Sequence, residues 1–335
     1  MLNDGNKGEG PDKRLLPTSV QHSEWLRLSC YSALLYVAGI HVPILGIAIV
    51  LGLISPTPIS LIGIRQGTYK AFSAVVFVAL IFYFPYGVAS SASFICISFI
   101  GIVFGIIVKK TNSAGEAVFA LIIAALVSKL LYMGFMVYTK EINPFEFDEN
   151  SVNALISSLK ASGAADDVLD TIRQRINLLI PSLLIMTAGI DTIANYFLVS
   201  RIENRRLSIS SSSDPDANEL KIHPMPTLDQ WSFPRSLLVA FFSAFLISLF
   251  NDSNTSVMLI SAELNLKILT CILFFIQGLS FVWWWMLYKK FSYGIRLSVL
   301  FVLLFIPIFL VGLIFVGLID IALNLRERIG RLNTK

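Results

Sequence analysis

Long apolar blocks alternate with short polar breaks from Leu28 almost to the end of the chain. A helix needs about 20 mostly apolar residues to cross a bilayer. Blocks approaching that length run over 28–53, 69–84, 89–108, 114–138, 176–199, 233–250, 264–288 and 297–323. This pattern predicts an all-helical, polytopic transmembrane bundle of about eight spans. The breaks carry their own signals. Ser55–Gly67 is rich in Pro and Gly and closes with Arg65, Pro85 and Gly87 part the second and third blocks, and Lys109-Lys110 ends the third. Trp231-Ser232-Phe233-Pro234-Arg235 opens the sixth block, and Pro307 is placed to kink the eighth.

Two polar inserts interrupt the series. Residues 140–175 are acidic, and Val152, Leu155, Ile156 and Leu159 within them form one helical stripe. With Ser151 as N-cap and Gly163 as stop, the stripe predicts an amphipathic helix lying in the membrane interface. A helix packed on the insert's own neighbours fits the same stripe. Residues 200–232 read as a flexible Ser/Pro linker. The expected organisation is a disordered polar tail (1–27), a five-span block (28–199), the linker, a three-span block (233–323) and a basic tail (324–335).

Composition narrows the class. Of 335 residues, 55% are hydrophobic and only 14% charged, with a mean hydropathy of +0.73. Soluble domains carry roughly 25% charged residues, so a soluble enzyme, a nucleic-acid-binding domain and a disulfide-stapled secreted domain are excluded. The expected partner is the lipid bilayer. The polar N-terminal stretch lacks the apolar core of a signal peptide. Cys30, Cys96 and Cys271 lie in or beside apolar blocks without metal-ligand or redox spacing. Lys and Arg divide evenly between the two sides of the expected topology, so the positive-inside rule assigns no orientation.

No HExxH, GxSxG, P-loop or CxxC pattern is present. The chain is therefore expected to be no enzyme and to carry no cofactor. The informative positions are polar groups inside apolar blocks, where desolvation makes an unpartnered charge costly. Lys129 and Asp191 fall at depths of about 15 and 21 Å at 1.5 Å per residue, a gap a lysine stem can bridge. Asn195 lies one turn beyond Asp191. Together they mark either a solute cavity or an ion pair that orients two helices. Gln277 is a second candidate, for a solute or for a neighbouring helix. Glu263 and Lys267 have salt-bridge spacing, and His41 stands ready to satisfy a carbonyl freed by Pro43. Trp231, Asp320 and Arg326 are expected at the interface or helix exit, with Asp320 charged near the headgroups or paired to Arg326. Gly101-xxx-Gly105 is a packing signal, and Trp283-Trp284-Trp285 fits an aromatic belt.

Three segments carry a resemblance. Pro226-Thr227-Leu228-Asp229-Gln230-Trp231-Ser232-Phe233-Pro234 precedes one block, Gln277-Gly278-Leu279 lies in the next, and Asp320 with Asn324-Leu325-Arg326-Glu327-Arg328 closes the last. With the Ser55–Gly67 turn, this order resembles the YybS-like family of bacterial integral membrane proteins. That family's N-terminal spans are distantly similar to the substrate-binding membrane subunits of energy-coupling-factor vitamin transporters. The resemblance implies a multi-pass protein of the bacterial cytoplasmic membrane that captures a small-molecule solute and works with a membrane or ATPase partner. A membrane scaffold or assembly factor in envelope biogenesis is the second reading. The first span lacks the alanine run at four-residue spacing that docks the coupling protein in those subunits.

Overall fold

The computed structural model describes residues 18–139, 146–163, 165–210, 222–250 and 256–332. Residues 1–17 of the expected tail, the start of the acidic insert (140–145) and the centre of the expected linker (211–221) lie outside the described residues. All regular structure described is helical: α1 (Thr18–His41), α2 (Leu45–Ile54), α3 (Thr57–Arg65), α4 (Thr68–Lys110), α5 (Ala114–Thr139), α6 (Glu149–Ala161), α7 (Asp166–Arg175), α8 (Ile180–Ser210), α9 (Ser236–Leu249), α10 (Val257–Tyr288), α11 (Tyr293–Phe305), α12 (Pro307–Leu323) and α13 (Leu325–Leu332). The polytopic helical reading stands.

Among the described residues fewer than eight unbroken helices qualify as candidate spans by length and composition. Among the described residues five helical stretches are long and apolar enough to cross a membrane, or six if the bent pair α11–α12 counts as one. The reasons are local. The first block breaks at Val42-Pro43-Ile44, because proline cannot continue the hydrogen-bond ladder. The sixth yields only the 14-residue α9, and the eighth bends by 105° at Ile306-Pro307. The 43-residue α4 is itself two arms. Gly87 sits at φ 75°, ψ −174°, a conformation closed to other residues. Ser91 Oγ donates to Ala79 O at 3.0 Å, whereas twelve residues along a straight helix span about 18 Å. The arms therefore fold back on each other, matching the expected second and third blocks.

The chain divides into two compact units, Met1–Ser128 with Thr192–Ile222, and Lys129–Asp191 with His223–Lys335. The division falls inside α5 and α8. In the first unit, Tyr36, Phe82 and Phe94 join α1 to both arms of α4, with ring centroids 5.2–5.4 Å apart. The short α3 is buried along Thr57–Ile64. It approaches the second arm of α4 through glycines: a Cβ on Gly105 would lie 2.3 Å from Gly63 O. Gly101-xxx-Gly105 is thus a helix-contact surface. Residues 18–27, expected in the disordered tail, belong to α1. Trp25 holds them by donating its indole N–H to Lys70 O at 2.9 Å. At the linker, α8 continues helical to Ser210, and Asn204 Nδ2 ties back Ile222 O at 2.9 Å.

The second unit packs α9, α10 and α12 around Leu237, Phe274 and Ile321. The insert's stripe forms α6 as expected, but its N-cap is Asp148, whose Oδ2 accepts from Ser151 N at 3.1 Å. Gly163 ends it at φ 90°. A second amphipathic helix, α7, follows it and leads through a 3-10 turn into α8. Val152 is buried while Leu155 is exposed on the same stripe, and α6 packs against α7, so the burial fits both an interfacial helix and a helix packed on the insert's own neighbours. Spin labels at Leu155 and Ile156 are expected to be shielded from water-soluble quenchers in liposomes, and a label at Ser157 open to them. Equal quenching at all three would remove the interfacial placement.

Candidate functional site

A connected polar centre of the second unit is built where α10 and α12 touch. Glycines make the contact: a Cβ on Gly278 would lie 2.0 Å from Leu313 O, and one on Gly317 1.9 Å from Phe274 O. Backbones this close bring Gln277 and Asp320 together, and Gln277 Nε2 donates to Asp320 Oδ2 at 2.6 Å. Asn324 then turns the chain with left-handed angles (φ 50°, ψ 53°). That turn returns Arg326 onto the same carboxylate, Nε to Oδ2 at 3.1 Å.

The arginine's other donors reach outward. Nη1 donates to Asp229 O at 2.6 Å and Nη2 to Ser280 Oγ at 2.9 Å. Ser280 Oγ donates toward the carbonyls of Leu228 and Trp231 at 2.5 and 2.8 Å. Gln277 Oε1 accepts from Phe233 N at 3.1 Å, and the Trp231 indole donates to Pro226 O at 3.0 Å. Asp320 is only 4% exposed. The centre thus brings Gln277, Trp231, Asp320 and Arg326 together and spends their hydrogen bonds on one another and on segment 226–234. Chemically it is a clamp: a buried carboxylate neutralised by a guanidinium that also grips backbone carbonyls.

The expected intramembrane pair also forms. Lys129 Nζ lies 2.8 Å from Asp191 Oδ2, and the two side chains keep 23% and 22% exposure. Asn195 does not join them. Its Nδ2 donates to Ser60 Oγ at 2.8 Å in the first unit. Glu263 and Lys267 pair as their spacing implies, and Lys267 Nζ also donates to Ser248 Oγ at 3.0 Å. His41 Nε2 meets Tyr86 OH at 3.1 Å rather than a freed carbonyl.

Two arrangements have no local signal in the sequence. Arg65, at the end of α3, pairs with Glu24 at 2.5 Å and with Glu203 at 2.8 Å. Glu203 lies 138 positions away, in the stretch read as linker. Asn265 donates to Leu178 O at 2.6 Å and accepts from Ser182 N at 2.7 Å, holding the start of α8 against α10. Among the described residues no group of three His, Cys, Asp or Glu side chains converges as a metal centre. Beside α6 and α7 lies a cleft of about 300 Å³, lined by Phe147, Val152, Asn153, Arg173 and Asn177 among others.

No curated protein and no solved structure matches the chain. The family described as predicted membrane protein (DUF2232) matches residues 30–321, which include the Lys129–Asp191 pair, the α10–α12 contact and Asp320. With apolar helices of membrane-crossing length in that same stretch, the chain belongs to this family of membrane proteins.

Proposed function

We propose that this chain is a non-enzymatic component of a bacterial cytoplasmic membrane that binds or passes a small polar solute, with Lys129 and Asp191 on the solute's path. The carrying observation is the pair itself: an acid and a base in contact on apolar helices, each about a fifth exposed. Facing a charge to lipid is expensive. The open side of the pair is therefore read as meeting water and solute, not acyl chains. The resemblance to vitamin-transporter subunits favours the same reading and adds an ATPase module as partner. A membrane scaffold or assembly role is favoured by a different observation, the clamp at Asp320, which spends its polar groups on rigidity.

A double-mutant cycle tests the proposal. Removing one member of a buried pair strands the other at a typical cost of about 3–5 kcal/mol, while removing both can be near neutral. Because both side chains keep some exposure, the lower end of that range is expected. Lys129→Met and Asp191→Asn should each cut monodisperse yield several-fold, and the double variant should restore it. Growth or uptake phenotypes should stay lost in the double variant. Recovery of both yield and phenotype would reduce the pair to a helix-orienting contact and sink the transport reading.

A further inference from the structure

Among the described residues of the first unit six side-chain oxygens are sealed from solvent and have no hydrogen-bond partner; besides Gln66 Oε1 and Asn204 Oδ1 they are Thr57 Oγ1, Ser98 Oγ, Thr192 Oγ1 and Asn195 Oδ1. The residues of these last four are 3%, 0%, 0% and 0% exposed. Leaving a buried polar atom unpaired costs about 1–3 kcal/mol, so one such atom is an exception and four at one level call for a ligand.

Helix register places them at one level. Ser60 is the meeting point of three helices. Its Oγ accepts from Asn195 on α8 at 2.8 Å, and a Cβ on Gly101 of α4 would lie 3.0 Å from its backbone N. One turn further along both chains, Gly105 approaches Gly63 and Ile64, so α3 and this arm of α4 run parallel. Arg65 pairing with Glu203, beyond Ser60 and Asn195 respectively, shows that α8 runs parallel to α3 as well. One turn back from Ser60, Gly101 and Asn195 stand Thr57, Ser98 and Thr192. Residues three apart share a helix face, so the three unpartnered hydroxyls come to the same level as one another, just below the Asn195 carboxamide.

The amide's orientation is determined by its neighbour. Ser60 Oγ donates to Pro56 O at 3.1 Å, so it accepts from the Asn195 amino group and leaves Oδ1 without a partner. All four unpartnered atoms are therefore oxygens, and the amide oxygen is an acceptor only. An anion is repelled by it. A divalent ion would keep a net charge of two among neutral ligands, at a large desolvation cost.

We propose that Thr57, Ser98, Thr192 and Asn195 form a binding site for one monovalent cation of sodium type inside the first unit. The hydroxyl and carboxamide oxygens coordinate the ion. The rival partner for these oxygens is ordered water.

Equilibrium binding of ²²Na⁺ to the purified full-length chain in detergent, with choline chloride holding ionic strength, separates the two. Saturable binding of about one ion per chain is expected. Thr192→Val and Ser98→Ala should each weaken it at least tenfold, and the exposed control Ser73→Ala should leave it unchanged. Both test variants remove a hydroxyl without adding bulk, and either one recovered as monodisperse protein is sufficient. Wild-type protein with no saturable ²²Na⁺ uptake would leave only water for these oxygens and overturn the site. Uptake that both variants retain at full affinity would overturn it equally.

Discussion

Gly317→Ala is expected to abolish folding of the second unit, and Gly278→Ala to do the same. The added Cβ would lie 1.9 Å from Phe274 O in the first variant and 2.0 Å from Leu313 O in the second. Both obstacles are backbone atoms, which cannot rotate aside as a side chain can. The helices would have to part by on the order of 1 Å, forfeiting close contact along their length. Overpacking typically costs about 1–3 kcal/mol where side chains can shift, and here they cannot. Parting α10 from α12 also stretches the Gln277–Asp320 hydrogen bond of 2.6 Å, because Gln277 adjoins Gly278 and Asp320 lies about one turn from Gly317. Monodisperse yield on size exclusion should fall to near background in both variants. Gly312→Ala is the control, since its Cβ meets nothing within 4 Å. There alanine should be neutral or stabilising by up to about 1 kcal/mol, from helix propensity. Normal yield from Gly317→Ala would mean that α10 and α12 are not in backbone contact.

Asp320→Ala is the second large effect. The carboxylate accepts from Gln277 and Arg326, and its removal leaves a largely buried guanidinium without its counter-charge. Such a loss typically costs about 3–5 kcal/mol. Arg326→Met should be comparably destabilising and should add a distinct symptom. Arg326 also holds Asp229 O directly and Leu228 and Trp231 through Ser280, so segment 226–234 should become a site of protease cleavage. The double variant is expected to recover only part of the thermal midpoint, because the grip on Asp229 and Ser280 stays lost. Full recovery would show that Asp320 and Arg326 matter only to each other, and the clamp would be discarded.

The helical membrane class was legible along the chain because bilayer thickness and the lack of water in it are one-dimensional constraints. They act through the length and polarity of each block. The Lys129–Asp191 contact was legible for a related reason: two opposite charges within apolar helices at matching depth have few partners other than each other. The same holds for the α6 stripe and for Glu263 with Lys267, where helical period alone places the side chains.

Other features came only from tertiary structure. The sequence located Pro43, Gly87 and Pro307, but not whether each would bend, fold back or break a block. Packing decided a break at Pro43, a return at Gly87 and a bend of 105° at Ile306-Pro307. Asn195 looked like a neighbour of Asp191, yet its amide turns to Ser60, 135 positions away. Glu203 looked like linker and became a buried partner of Arg65. Gln277, Asp320 and Arg326 were singled out one by one, and their union needed two helices to approach through Gly278 and Gly317. Block length, charge depth and helical period are local, so the sequence by itself determined the class, the main apolar segments and one ion pair. Which faces meet depends on shape complementarity between distant segments, so the closed clamp and the buried oxygens left without partners follow from the packing.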